Sequence, residues 1–473
     1  MTASDSTGPA SAAPDNPVLP DNTVRLDDAD ALIWAVERDP TLASTVSSLS
    51  LFDSPVDPEA FRIRLERATR LVVRMRQRVV GNPLSLSPPR WEVDPEFNLD
   101  NHLRVVECPG DGTLRDALDL AAPFNAAPFD KERPLFDMLL IQGIDGDKTG
   151  LVMKAHHAIA DGMGMLQIQL ELFDFEPDTE NPELPPEPQA DPLSPGERLG
   201  NALEFERGRA RTSLRDLGTA VVKNLTSGDG DAMDQALDTV AAGIRSIVPA
   251  PPMSPVLVER SADTWHDTMS VPVADLKAAG KRAGTRMNAA FVAAVARGLG
   301  LFHEQSGERC PLLRMGMPVN VRVEGAEATG NHLQAIRVEL PLIADEPDHL
   351  IEICQALIDS HRADPAQSII GPAQQLLARL PAQLSGFAFA QVLRGSDFLT
   401  SNLPGSPVPM YIGSAEMMAQ YPFGPTSAAA VNVTLLSYQE AANIGISVDP
   451  AATSNPHLVA DCIRQGFDWV LEG

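Results

Sequence analysis

The sequence predicts an α/β (α+β) fold of two layered domains joined by a helical connector. Three observations lead to this prediction. The chain has 473 residues, and a single hydrophobic core stops growing well below that length. In each half, short apolar runs typical of buried strands alternate with segments of helical periodicity. Between the halves, residues 175–196 are rich in proline and acidic residues and show neither helical nor strand periodicity, which indicates an extended linker.

The N-terminal domain is assigned to residues 23–175, after a tail at residues 1–22. The tail is small, polar and proline-rich, with neither a basic start nor an apolar segment, so we expect it to be disordered and not a signal peptide. The periodicity in the domain predicts strands at residues 45–52, 102–107, 135–144 and 151–155, and helices at residues 57–79 and 113–124.

Residues 176–255 are assigned to the proline-rich linker and a helical connector. The basic side chains of the connector alternate with apolar ones at near-helical spacing, and they are Arg207, Arg209, Arg211, Arg215 and Lys223. Two interpretations stay open. We favour a helix that packs its apolar side on the protein and keeps its arginines in water. The alternative is a helix that lies on a lipid interface.

The C-terminal domain is assigned to residues 256–473, after a second proline-rich break at residues 248–255. The same patterns predict helices at residues 288–303, 349–361 and 455–471, strands at residues 313–318 and 334–340, and a hairpin at residues 430–437 and 443–448.

Composition narrows the classes of partner. The formal net charge is −27 and no basic stripe spans a domain, so we expect no nucleic acid partner. No stretch reaches about 18 apolar residues without a polar interruption, so we expect no spanning helix and a cytoplasmic protein whose contact with lipid is local and apolar. The four cysteines have neither a zinc nor a disulfide spacing, which predicts free thiols at Cys108, Cys310, Cys354 and Cys462.

The most informative motif is His156-His157-x-x-x-Asp161-Gly162, directly after a predicted strand. A chance match to this pattern in a chain of this composition is on the order of one in a thousand. Adjacent strand residues point to opposite faces, so the two histidines are not expected to share a metal ion, and only one is expected to face a cleft. Helical spacing resumes after the motif, so Asp161 and Gly162 are expected to open a helix.

A neutral imidazole, with an ordinary pKa of about 6.5, is suited to take a proton from an alcohol that attacks an acyl carbonyl. The chain has no G-x-S-x-G elbow, and none of its cysteines lies beside a histidine in the sequence. Direct acyl transfer without a covalent intermediate is therefore the simplest chemistry. Two structural interpretations compete with it: a hydrogen-bonded histidine at a strand end, and a helix N-cap at Asp161.

At these residues the chain resembles the bacterial wax ester synthase/diacylglycerol acyltransferases over residues 23–473. The resemblance includes HHxxxDG and two upstream segments. F-N-L-D-N-H-L at residues 97–103 and P-F-D-K-E-R-P-L-F at residues 128–136 look like the D-x-x-H-[VL] and L-D-x-x-[RK]-P-L-W patterns of the family. Further segments follow in the family's order at Asn288, 318–322, 330–331, 401–405 and 431–433. Two positions differ from the usual family pattern, because Phe136 replaces a tryptophan and Ala289 replaces an aspartate. For Phe136 we favour an exposed aromatic side chain over a ligand-binding one.

The resemblance implies two chloramphenicol acetyltransferase-like domains with the active site at their interface. It implies that His157, His156 and Asp161 are catalytic, with His157 as the general base. Asp161 would orient the loop by pairing with an arginine such as Arg322, and Gly162 and Arg322 would give oxyanion or structural support. Asn288 is either an oxyanion donor or an N-cap, with equal weight. A general base contributes about 10²–10⁴ in rate, and an oxyanion donor contributes about 10²–10³.

The resemblance implies acyl-CoA and either diacylglycerol or a fatty alcohol as substrates, no cofactor and no metal, and peripheral association with membrane or lipid droplets. The chain has no glycine-rich phosphate loop, so the residues that bind CoA are not assigned. Two alternatives are kept. One is a condensation-type or polyketide-associated acyltransferase with carrier-bound acyl donors. The other is a lipid-binding protein with little turnover.

Overall fold

The computed structural model describes residues 25–82, 87–159, 162–208, 211, 251–320, 333–363 and 382–473. The predicted tail and most of the basic connector lie outside the described residues. Residues 175–194 contain no helix or strand, as the linker prediction requires. A helix follows at residues 195–208.

The N-terminal half alternates helices and strands. Its helices are α1 (Asp28–Val36), α2 (Pro58–Leu71), α3 (Leu114–Ala126) and α4 (Gly162–Leu172). Its strands are β1 (Thr45–Phe52), β2 (Gln77–Val80), β3 (Arg90–Val93), β4 (Leu103–Glu107), β5 (Phe136–Ile144) and β6 (Lys148–His156).

The C-terminal half has the same layered character. Its helices are α5 (Val273–Arg282), α6 (Met287–Gln305), α7 (Pro347–Ala363), α8 (Ala382–Leu393) and α9 (Pro456–Glu472). Its strands are β7 (Trp265–Pro272), β8 (Leu312–Asn320), β9 (Leu333–Pro341), β10 (Phe398–Pro404), β11 (Tyr411–Ile412), β12 (Ala415–Phe423), β13 (Val431–Tyr438) and β14 (Ala441–Val448).

Two six-stranded sheets organise the molecule. The first has the order β11-β12-β1-β6-β5-β4 and the second has the order β7-β14-β13-β10-β8-β9. Strand β12 belongs to the C-terminal half but pairs antiparallel with β1, with Ser50 opposite Gln420. The two halves of the chain therefore share a sheet. The domain limits derived from the sequence stay a prediction.

Local chemistry explains where the helices begin. Asp57 caps α2, whose first residue is Pro58, and Asn455 caps α9. Thr113 and Asp116 form a reciprocal capping box at the start of α3. Short polar side chains at these positions satisfy backbone N–H groups that a helix leaves unpaired.

The prediction of one helix at residues 57–79 is wrong at its C-terminal end. Helix α2 stops at Leu71, a 3₁₀ turn follows at Val73–Arg76, and Gln77–Val80 is a strand that pairs with Arg90–Val93. Valine is stiff at χ1 and fits a pleated strand better than a helix. The hairpin partner, which the sequence pattern did not reveal, decides the outcome in favour of the strand.

The first sheet buries both of its faces. Met153 and Ala155 of β6 lie in a cluster with Phe61 and Leu65 of α2. On the other face, Val152 packs with residues of α3. This alternation fixes which way the side chains at the end of β6 point. In the described part of the chain, no helix has both the length and the apolar character needed to cross a membrane.

Candidate active site

The two histidines of the motif lie where β6 ends. His156 is the last residue of the strand and lies opposite Thr45 of β1. The ladder continues for one more step, because the N–H of His157 donates to the Ser44 carbonyl oxygen at 2.9 Å. The two side chains therefore leave the sheet on opposite faces. His156 is fully buried, whereas His157 is half-buried.

The imidazole of His156 is held on both of its nitrogens. Nδ1 accepts a hydrogen bond from the N–H of Ala158 at 3.0 Å, so Nδ1 carries no proton when this bond is made. Nε2 lies 2.8 Å from Glu37 Oε1, off the line of a straight hydrogen bond. The ring also meets Trp34 and Phe129 edge-on, with ring centroids 5.7 and 6.3 Å away. His156 is a fixed structural element of the motif.

Glu37 follows the last residue of α1, and its side chain is 10% exposed. Its Oε1 also accepts the N–H of Ser44 at 3.0 Å. Its Oε2 lies 3.4 Å from Lys131 Nζ. Burial alone would raise the pKa of Glu37, but the contacts with His156, Ser44 and Lys131 outweigh it and hold the pKa below the ordinary 4.5. The carboxylate is therefore charged at neutral pH. Glu37 carries no signal in the sequence that marks it as part of the site, because no spacing rule links it to a histidine more than a hundred residues later.

Asn288 is the second residue of α6. Arg286 occupies the N-cap position without a capping side-chain bond, so the N-cap alternative for Asn288 is wrong. The amide engages neighbouring strands instead. Its Oδ1 accepts a hydrogen bond from Asn402 Nδ2 at 3.1 Å, and its Nδ2 lies 3.8 Å from the sulfur of Met317. The fold thus joins two motifs that are far apart in the sequence.

The two family segments that precede the HHxxxDG motif, at residues 97–103 and 128–136, also contact each other. His102 is buried between Phe97 and Phe136, with ring centroids 5.5 and 4.4 Å away and nearly parallel planes. The ring nitrogen Nδ1 lies 2.8 Å from the Phe136 carbonyl oxygen. Burial lowers the pKa of His102, against the opposing effects of that carbonyl and of Asp137. The expectation of an exposed Phe136 is wrong, because this ring is 2% exposed and closes a stack.

A sequence profile described as the wax ester synthase/diacylglycerol acyltransferase catalytic domain matches residues 26–291. A second profile, for the C-terminal domain of the same proteins, matches residues 329–470. A putative diacylglycerol O-acyltransferase of Mycobacterium tuberculosis is 33% identical over 452 residues, which cover 93% of this chain and 90% of the relative. The chain belongs to the wax ester synthase/diacylglycerol acyltransferase family.

Solved structures agree on the fold. A wax ester synthase/diacylglycerol acyltransferase from Marinobacter aquaeolei VT8 superposes with a TM-score of 0.65 at 18% identity, over 94% of this chain and 98% of that one. The first condensation domain of the calcium-dependent antibiotic synthetase gives 0.57 at 14% identity, over 95% and 97%. The resemblance stated from the motifs and the predicted fold class are confirmed. The protein is an acyltransferase, and its family implies an acyl donor and a lipid acceptor.

Some residues of the predicted acyltransferase site are not described. Asp161 and Arg322 lie outside the described residues, so their pairing stays a prediction. Gly162 is the first residue of α4, in agreement with a helix that opens at the Asp-Gly step. Ala289, which replaces the usual aspartate, is fully buried in the core around α6. Among the described residues, no group of three His, Cys, Asp or Glu side chains is arranged to hold a metal ion.

A small cavity of about 40 Å³ lies where the two halves of the acyltransferase meet. It is lined by side chains from β1, α3, β7 and the end of β12. His266 in this lining is buried, stacks on Phe423 at 4.2 Å, and lies 3.2 Å from Asn125 Nδ2 through its Nε2. Burial, with a smaller effect of Arg115, lowers the pKa of His266 to about 3. His266 is therefore neutral in the folded protein.

Proposed function

We propose that the protein transfers the acyl group of an acyl-CoA to the hydroxyl of diacylglycerol or of a long-chain alcohol, with His157 as the general base. One observation supports this assignment above the others. Of two adjacent histidines at a strand end, His156 is buried and held by Glu37 and Ala158, whereas His157 is half-buried on the opposite face. His157 is the histidine of the pair that a substrate reaches.

The chemistry needs one proton acceptor and no covalent intermediate. The imidazole of His157 takes the hydroxyl proton while the acceptor oxygen attacks the thioester carbonyl carbon. The C–O bond forms, the C–S bond breaks, and the imidazolium returns the proton to the departing thiolate. The products are an ester and free CoA, and the histidine is regenerated.

The surroundings of this face support an acyl substrate. Ala155 lies two residues before His157, on the same face of β6, in an apolar cluster that also contains Leu436 and Tyr438 of β13. Leu403 of β10 packs against the same cluster. The face of β6 that carries His157 is therefore lined by apolar side chains, which is the environment that a fatty acyl chain requires.

We assign Asn288 to the oxyanion. Because Asn402 donates to Asn288 Oδ1, the amide is oriented with its Nδ2 as the remaining donor. A fixed amide donor is the usual means of stabilising the oxygen that becomes negative during acyl transfer. Asp161 would orient the motif loop by pairing with Arg322.

The choice of substrates rests on the relatives. The family profile names wax ester synthesis and diacylglycerol acylation together, and the Mycobacterium tuberculosis relative is named for the second activity. We therefore propose that both acceptors are used. With a net charge of −27, the protein would meet lipid through apolar contacts and not through charge, as a cytoplasmic protein peripheral to membrane or lipid inclusions.

The test is product analysis with purified protein, palmitoyl-CoA, and either dioleoylglycerol or hexadecanol. We expect ester and free CoA in equal amounts from the wild type. His157→Ala should lower the rate by about 10²–10⁴. His349→Ala is the matched control, because this histidine of α7 is exposed and pairs with Glu352 of the same helix, and it should match the wild type. Failure of the wild type with both acceptors would refute the proposal, and activity with carrier-bound acyl donors alone would favour the condensation-type alternative.

A further inference from the structure

We propose that Glu37 is a positioning residue for His157, an inference that rests on the proposed function. Glu37 lies on the side of β6 that carries His156, opposite the face of His157. It does not contact the reacting atoms in this arrangement. It acts by fixing the backbone on both sides of the catalytic histidine.

The first link runs through β1. Glu37 Oε1 accepts the N–H of Ser44 at 3.0 Å, and the carbonyl oxygen of Ser44 accepts the N–H of His157 at 2.9 Å. Ser44 is 6% exposed, so water does not readily replace these bonds. The peptide N–H of His157 is thereby tied to the carboxylate through a single residue.

The second link runs through the imidazole of His156. Its Nε2 lies 2.8 Å from the same Oε1, and its Nδ1 accepts the N–H of Ala158 at 3.0 Å. A further bond, from the N–H of Ile159 to the His156 carbonyl oxygen at 2.9 Å, closes the turn. The residues before and after His157 are therefore both held by the ring that Glu37 contacts.

The carboxylate is itself held in place. Lys131 Nζ lies 3.4 Å from Oε2 and 4.4 Å from the centre of the Trp34 ring. The buried negative charge is thus paired with a cation that packs on the same helix. Removal of the carboxylate leaves the Ser44 N–H without its acceptor and the ring of His156 without its charged neighbour, and buried groups without a partner rearrange to find one. A shift of about 1 Å in a catalytic group is enough to cost about 10²-fold in rate.

The effect is expected on kcat and not on substrate binding. Glu37→Ala should lower kcat for ester formation by about 10–100-fold, with KM for acyl-CoA and for the acceptor unchanged within about threefold. Glu37→Gln should lose less, because its amide oxygen still accepts the Ser44 N–H. Glu66→Ala is the matched control: Glu66 is a partly buried glutamate that pairs with Arg70 and Arg76 of the same half. Among the described residues, no hydrogen bond or ion pair joins it to the motif.

A double-mutant cycle separates positioning from a general structural role. If Glu37 acts through His157, Glu37→Ala should have less than a twofold effect on the residual rate of the His157→Ala enzyme, because groups that act as a unit are not additive. A structural role would lower both rates by the same factor. If Glu37→Ala does not fold, Glu37→Gln is carried through the same cycle.

The outcomes distinguish the two proposals. Wild-type activity in His157→Ala would refute the proposed function. A large loss in His157→Ala, combined with wild-type kcat in both Glu37 variants or with equal losses in the two backgrounds, would refute the role of Glu37 and leave the proposed function standing.

Discussion

Helices α6 and α9 cross at two glycines, and a methyl group added at Gly466 tests how tightly they pack. A Cβ at this position would lie 2.2 Å from the carbonyl oxygen of Ala294 and 2.6 Å from the backbone nitrogen of Gly298. Both are backbone atoms, so no rotamer change relieves the contact. Real Cβ atoms essentially never approach another heavy atom more closely than 3.0 Å, so the two helices would have to move apart by about 0.8 Å from the 2.2 Å contact.

The expected cost follows from two opposing effects. Overpacking of a close-packed core costs up to about 3 kcal/mol, and the change from glycine to alanine within a helix returns about 1 kcal/mol. Gly466→Ala should therefore lower the free energy of unfolding by about 2 kcal/mol. Urea unfolding followed by far-ultraviolet circular dichroism measures this as a lower midpoint at unchanged slope.

The matched control is Gly200→Ala. Gly200 lies in the helix at residues 195–208, and a Cβ there would meet no atom within 4 Å. This variant should be as stable as the wild type or more stable by up to about 1 kcal/mol. If Gly466→Ala proves as stable as Gly200→Ala, the close approach of α6 and α9 is refuted.

Two further predictions concern the interior and the site. The free energy of unfolding should fall by up to about 1.4 kcal/mol per pH unit between about pH 6.5 and pH 3 from His266 alone, because the unfolded imidazole gains a proton there while burial holds the folded pKa at about 3. His266→Gln should lack this pH-dependent loss of stability, so the urea midpoints of the wild type and the variant should converge from pH 7 to pH 5. Midpoints that change in parallel with pH would contradict the low pKa of His266. Asn288→Ala should lower kcat by about 10²–10³ if its amide stabilises the oxyanion. Asn402→Ala should lower kcat by less, since Asn402 only orients that amide. An unchanged kcat in Asn288→Ala would exclude Asn288 as an oxyanion donor.

The sequence was a good guide to local structure. The predicted strand at residues 45–52 has the bounds of β1. The final helix, predicted at residues 455–471, spans Pro456–Glu472 and has Asn455 as its N-cap. These elements carry their own signals, namely alternating apolar residues and a capping side chain. The predicted helix at residues 57–79 ran too far because its last residues pair with a second strand, and that pairing is a tertiary effect.

The features that the sequence did not reveal depend on distant partners. Strand β12 joins the N-terminal sheet through β1, more than 350 positions earlier in the chain. Glu37 reaches the motif in the same way, from a helix that shares no pattern with it. The motif residues themselves were found because they are adjacent in the chain. Their supporting contacts exist only after folding, and single-sequence patterns carry no record of them.

The most direct test of the account is the rate of CoA release by His157→Gln compared with the wild type, at saturating palmitoyl-CoA and dioleoylglycerol. Glutamine keeps much of the size of histidine but cannot take a proton from the acceptor hydroxyl. The account predicts a kcat at least about 100-fold lower, with KM for the acceptor changed by less than about threefold. A kcat equal to that of the wild type would contradict the assignment of His157 as the general base.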